Sequence, residues 1–215
     1  MTARAALALA LTLATVRGAA AQRFVIGLEA AAGSYQEQGQ SLDFSGWGPA
    51  LSVAGSWRRY GIVLNVTRIA FSPTDSAAAA EPFDLAQFDG RVRWDANATW
   101  GLEAGYLQRT ISPSTAAQGM SVIPVGGRVN FPLAPGARIA AHADYLAAAK
   151  FSGGGSASVA IEVGLGASYA PGAGTVRFTA DFAFDRLDRQ TSSGGSTLEV
   201  PIQSSVGTLG IALVF

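Results

Sequence analysis

Cysteine is absent from this chain of 215 residues, and histidine occurs once. A disulfide framework, a Cys-based zinc site and lipid attachment to an N-terminal Cys are therefore all excluded. Charge is also scarce: 14% of residues are Asp, Glu, Lys or Arg, with 15 acids against 15 bases, where a soluble domain carries roughly 25%. So few charges do not clothe an ordinary water-facing surface, and no basic patch marks nucleic acid as a partner. Beyond the N-terminus no run reaches the roughly 20 apolar residues of a membrane-spanning helix. The positive mean hydropathy, +0.26, is carried in short pieces.

What is present begins with MTARAALALALTLATVRGAAAQ. Arg4 precedes an apolar run from Ala5 to Val16, and an A-x-A site stands at Ala19 to Ala21. This is the composition of a secretory signal peptide, with cleavage expected before Gln22. Residues 1–21 are thus expected to be the signal peptide and 22–215 a single domain. Removing Arg4 and Arg17 takes the basic count from 15 to 13 against 15 acids, a slight negative excess.

After Gln22 the pattern is short, alternating segments broken by Gly, Pro, Ser and Asp clusters. It predicts ten strands, at 23–35, 49–58, 60–71, 86–95, 98–111, 121–131, 137–149, 157–169, 174–186 and 199–215. Tight connections at 59, 96–97, 132–136 and 171–173 alternate with longer ones at 36–48, 72–85, 112–120, 150–156 and 187–198. The Gly-rich stretches GSYQEQGQ and FSGGGS fall in the longer set and join no strand to a helix, so they do not cradle phosphate. Short turns at one end and long loops at the other characterise a transmembrane β-barrel.

Most strands have one apolar and one polar face. Leu51, Val53 and Trp57 oppose Ser52, Ser56 and Arg58; Phe88, Val92 and Trp94 oppose Asp89, Arg91 and Arg93. Val159, Ile161, Val163, Leu165 and Tyr169 oppose Ser158, Glu162 and Ser168. Aromatics cluster at the strand ends, with Trp57, Tyr60, Trp94, Trp100, Phe131, Tyr169 and Phe215 near the tight turns. Tyr35, Phe71, Tyr106, Tyr145 and Phe184 stand near the long loops. Two such belts place the greasy face against lipid and the ionised face inside. The expected fold is all-β, a single closed antiparallel barrel of ten strands, with eight as the alternative.

With its signal peptide, alternating strands and terminal Leu209, Ile211, Leu213 and Phe215, the chain resembles the bacterial outer-membrane β-barrel proteins. The resemblance implies location in the outer membrane of a Gram-negative-type bacterium, with lipid and lipopolysaccharide as surroundings. It also implies that the terminal alternation ending in Phe215 is part of the signal read by the barrel-assembly machinery.

The expected lumen network comprises Glu29, Arg91, Arg93, Glu103, Arg128, Arg138, His142, Asp144, Glu162, Arg177 and Asp181, with Arg58, Asp89 and Arg109 also in inward phase. Buried charges require partners. Hairpin geometry, in which opposite residues keep a constant index sum, sets Arg91 opposite Glu103 across 96–97, His142 opposite Glu162 across 150–156, and Glu162 opposite Asp181 across 171–173. His142, Glu162 and Asp181 then form one row, either a proton-responsive site or a satisfied internal network completed by Arg138 or Arg177.

No catalytic constellation is expected. His142-Ala143-Asp144 has no adjacent Ser, as lipid-modifying outer-membrane barrels have, and reverses the Asp-x-His order of omptin-like proteases. No cofactor is expected, and a single His without Cys disfavours a metal site, although Asp185 and Asp188 could hold calcium weakly. Arg68, in phase with Leu64 and Val66, is expected to face outward at the upper rim, towards lipopolysaccharide phosphates, with an inward turn at a bulge as the alternative. The expected function is a small structural or surface-interaction barrel with a charged, plugged lumen and five loops, whose ligand the sequence does not name. The rivals are a narrow pore for ions or small solutes, an outer-membrane lipid-modifying enzyme, and a soluble periplasmic barrel for a hydrophobic ligand.

Overall fold

The computed structural model describes residues 22–38, 42–74, 80–113, 116–172, 174–193 and 196–215; the expected signal peptide lies outside them. Ten strands run β1 (Gln22–Glu37), β2 (Leu42–Trp57), β3 (Tyr60–Pro73), β4 (Phe83–Asp95), β5 (Trp100–Pro113), β6 (Met120–Ala134), β7 (Ala137–Phe151), β8 (Ser156–Tyr169), β9 (Val176–Ser193) and β10 (Ser196–Val214). A single turn of 3-10 helix, Ala116–Gln118, precedes β6. Every strand pairs antiparallel with its chain neighbours, and β1 pairs with β10 to close the barrel. Closure leaves no sheet edge along the span, which satisfies backbone groups that lipid cannot hydrate.

Several strands continue well past their expected upper ends. β2 begins at Leu42 rather than 49, and β9 runs to Ser193 rather than 186. The expected loops at 36–48 and 187–198 are therefore mostly strand, and much of GSYQEQGQ belongs to β1. The surface end of the molecule is a raised wall more than a set of loops.

Along that wall the polarity of the two faces inverts. In β3, Ile62, Leu64 and Val66 face outward below, but Arg68, Ala70 and Ser72 occupy the same face above. The inward face changes from Asn65 and Thr67 to the buried Ile69 and Phe71. β5 does the same: Leu102 and Tyr106 give way outside to Gln108 and Thr110, while inside Glu103 gives way to Leu107 and Ile111. The lower half is thus built as a membrane barrel and the upper half as a water-facing one with an apolar interior.

The upper interior is packed solid. Tyr35, Phe44, Ile69, Phe71, Phe83, Leu85, Leu107, Val122, Leu146 and Leu187 form one buried cluster. The Phe83 ring centroid lies 4.9 Å from Phe44, 5.0 Å from Phe71 and 5.3 Å from Tyr35. This corrects the expected upper girdle: Tyr35 and Phe71, each 1% exposed, are plug residues. Tyr106 and Tyr145 do face outward, joined by Trp47, which is 77% exposed. The lower girdle of Trp57, Tyr60, Trp94, Trp100, Phe131, Tyr169 and Phe215 is exposed at the short-turn end.

Candidate functional site: the charged layer and the lower lumen

Beneath the apolar plug, β4 delivers Asp89, Arg91 and Arg93 on successive inward positions, because side chains two residues apart share a face. β5 contributes Glu103, β7 His142 and Asp144, and β8 Glu162. Arg91 is the hub. Its Nε donates to Asp89 at 3.0 Å and its Nη1 to Glu103 Oε1 at 2.7 Å. It also bonds the carboxylates of Asp144 and Glu162. Arg93 Nε donates to Glu103 Oε2 at 3.1 Å, and His142 Nε2 lies 3.2 Å from Glu162 Oε1 and 4.0 Å from Asp144 Oδ2. Charge-assisted hydrogen bonds of this kind compensate the desolvation that burial imposes.

Small residues make room for these groups. Gly126 is the pairing partner of Asp144, and Gly164 that of His142. A Cβ at Gly126 would lie 2.1 Å from Asp144 Oδ1, and one at Gly164 would lie 2.2 Å from His142 Cε1.

The registers differ from those expected, and the turns after β4 and β8 are longer than expected. The β4–β5 connection is Ala96–Thr99 instead of 96–97, with Asn97 Oδ1 accepting from the backbone N–H groups of Thr99 and Trp100, both at 2.8 Å. Such an Asx-type turn holds a wider hairpin. Glu103 is consequently paired with Arg93, and reaches Arg91 diagonally. Glu162 is paired with Asp144 and touches His142 diagonally. The expected third member of that row is displaced: Asp181 pairs with Gly166, and Asp185 stands opposite Glu162. An even-numbered shift keeps each side chain on its face while changing its partner.

The remaining expected lumen residues are dispersed. Glu29 accepts from Ser52 Oγ at 2.8 Å, and Arg128 Nη2 donates to Asn130 Oδ1 at 3.0 Å with Asp95 Oδ1 at 3.6 Å. Arg138, Arg177 and Asp181 face the lower lumen without an ion pair among the described residues. Arg58 is not in the lumen; it sits at the β2–β3 turn with a φ of 53°, its guanidinium 5.7 Å from the Trp57 ring centroid. Arg68 faces outward as expected and pairs with Asp84 at 2.7 Å.

A second buried ion pair was not anticipated. Arg109 donates through Nη2 and Nη1 to Asp185 at 2.9 and 3.2 Å, and through Nε to Gln87 at 3.0 Å. Above the plug, Gln118 donates to Glu37 at 3.1 Å and accepts from Arg189 at 2.8 Å, so the 3-10 turn is tied to the wall. Asp185 and Asp188, the expected weak calcium ligands, are committed to Arg109 and Arg186. The signal for Asp185 was the inward phase of Thr179, Asp181 and Ala183, which continues two residues further.

Glu103, His142 and Asp144 present ligand atoms within 4.8 Å of one another. Arg91 already bonds both carboxylates, so the cation this cluster is built around is a guanidinium. Below it lies a cavity of about 390 Å³ lined by polar residues from every strand.

No protein-family model and no curated protein sequence matches the chain. Solved structures do. The outer membrane protease OmpT from Escherichia coli matches at 11% identity and a TM-score of 0.52, over 90% of this chain and 96% of that one. Neisserial surface protein A matches at 14% identity and 0.43, over 88% and 96%. The attachment invasion locus protein Ail of Yersinia pestis matches at 12% and 0.42, over 90% and 98%. At these identities the likeness is one of fold. The chain shares with them the fold of an outer-membrane β-barrel, a closed antiparallel barrel, here of ten strands, girdled by outward aromatics and carrying ionised residues within.

Proposed function

We propose that this protein is a non-conducting, non-catalytic outer-membrane barrel whose raised upper wall serves a structural or surface-interaction role. The observation that carries the reading is the plug. Buried apolar side chains, among them Tyr35, Phe44, Phe71, Phe83, Leu107 and Leu187, fill the upper lumen, and the Arg91 ion-pair layer lies beneath. Ion passage through packed hydrocarbon lacks the polar lining that a water-filled barrel provides. The contacts of His142 fit the same reading, since its hydrogen-bonding partner among the described residues is a carboxylate and not a hydroxyl nucleophile.

The proposed route to the membrane is cleavage before Gln22, after the A-x-A site at Ala19 to Ala21, followed by assembly directed by Leu209, Ile211, Leu213 and Phe215. Three of these are outward on β10. The fourth exchanges backbone hydrogen bonds with Phe24 at 2.8 and 3.3 Å. Lipid and lipopolysaccharide are the proposed surroundings of the belt and the upper rim.

Planar-bilayer recording of the purified barrel tests the function. A silent membrane is the expected result. Steady conductance steps from wild-type protein would replace this reading with that of a narrow pore.

A further inference from the structure

The lower lumen is not merely open; its charge is organised. Arg93, Arg128, Arg138 and Arg177 line the cavity from β4, β6, β7 and β9. Arg177 is in electrostatic contact with Arg138 and with Arg23, and Arg128 with Arg93 and Arg138. Arg93 is answered by Glu103, and Arg128 by Asp95 only at 3.6 Å. Glu29, held by Ser52, and Asp181 stand deeper, facing each other electrostatically.

Like charges gathered without matching partners cost free energy that a ligand of opposite sign returns. Two residues of the same lining carry buried polar atoms, Arg128 Nε and Thr179 Oγ1, that have no hydrogen-bond partner among the described residues. Arg138 and Asp181 face inward yet are solvent-exposed, which marks the short-turn end as the way in. Guanidinium groups bind phosphate and carboxylate in a planar, two-pronged geometry.

We propose that this cavity is a binding site for a small oxyanion, a phosphate- or carboxylate-bearing solute entering from the short-turn side. Arg128, Arg138 and Arg177 are its cationic floor, with Thr179 and Asn130 as neutral partners. Glu29 and Asp181 limit how deeply the anion penetrates, and the apolar plug closes the route above it. The site is a dead end, suited to retention and not to passage.

The experiment is isothermal titration of the detergent-purified full barrel with inorganic phosphate, with citrate and with glucose, at low and high ionic strength. Saturable binding of phosphate or citrate, weakened by salt and absent for glucose, is expected. Arg138→Gln and Arg177→Gln should each weaken it about tenfold, whereas Arg58→Gln, at a turn outside the lumen, should leave it unchanged. Heat-modifiable gel mobility establishes that each variant still forms a closed barrel. If wild-type protein binds neither anion saturably at low ionic strength, the proposal fails without recourse to any variant. Binding that both lumen variants leave intact would equally overturn it.

Discussion

Arg91 is the residue on which the interior turns. It meets Asp89, Glu103, Asp144 and Glu162 at once, so deleting it strands four acids in a confined space. Removing one partner from a buried ionic cluster costs about 3–5 kcal/mol, because the charge left behind has lost both water and counter-ion. Arg91→Ala should therefore lower unfolding stability by that order in urea titrations of the lipid-reconstituted barrel. Arg91→Lys should recover only part of it, since an ammonium does not span four carboxylates. Glu37, near the upper end above the outward aromatics, is the residue for a pH test. Burial pushes its carboxyl up from the ordinary value, while the Gln118 hydrogen bond and Arg189 pull it down less strongly. A raised folded-state pKa means the native form holds more protons than the unfolded form just above the ordinary glutamate range. Stability there falls as pH rises. Glu37→Gln should flatten that part of the stability profile, measured by thermal unfolding across mildly acidic pH.

At the scale of the strand, spacing matters more than charge. In β8, Gly164 lies under the His142 ring, where an added Cβ would meet Cε1 at 2.2 Å and Nε2 at 2.6 Å. Gly164→Ala should swing the ring off Glu162, cost about 1–3 kcal/mol as overpacking does, and speed modification of the single histidine by diethyl pyrocarbonate. Directly after β10, removal of Phe215 should reduce the amount of barrel assembled in cells while barely changing refolding in detergent. Equal loss in both settings would mean that the residue acts through stability alone. Strand number and lower-half faces were legible in the sequence because Trp94 to Phe88 and Tyr169 to Val159 keep strict alternation. The upper half was not, since Tyr35 and Phe71 sit at strand ends where an outward girdle and an inward plug share the same aromatic composition. Alternation reports that two faces differ; it is silent on which faces inward. The charged residues could be listed from phase, but their partners depended on turns such as Ala96–Thr99, whose Asx bonding a two-residue hairpin assumption omits.

The whole molecule consists of two barrels of opposite sense, stacked on shared strands. That makes two phenylalanines of similar size behave differently. Phe83, 2% exposed and set among three other rings, should cost about 3–5 kcal/mol when changed to Ala, as in a soluble core. Phe178, 47% exposed on the belt, should lose less, because lipid tails close over the space its ring leaves. Unfolding of both variants in the same vesicles checks the contrast. The inversion of the faces in β3 and β5 also fixes how far the protein sinks. Upward displacement would bring Val66 and Tyr106 into water, and downward displacement would drag Arg68, Asp84 and Gln108 into hydrocarbon. Immersion depth is thus encoded strand by strand, and a thicker bilayer must thin around this barrel, since the barrel gains nothing by rising to meet it.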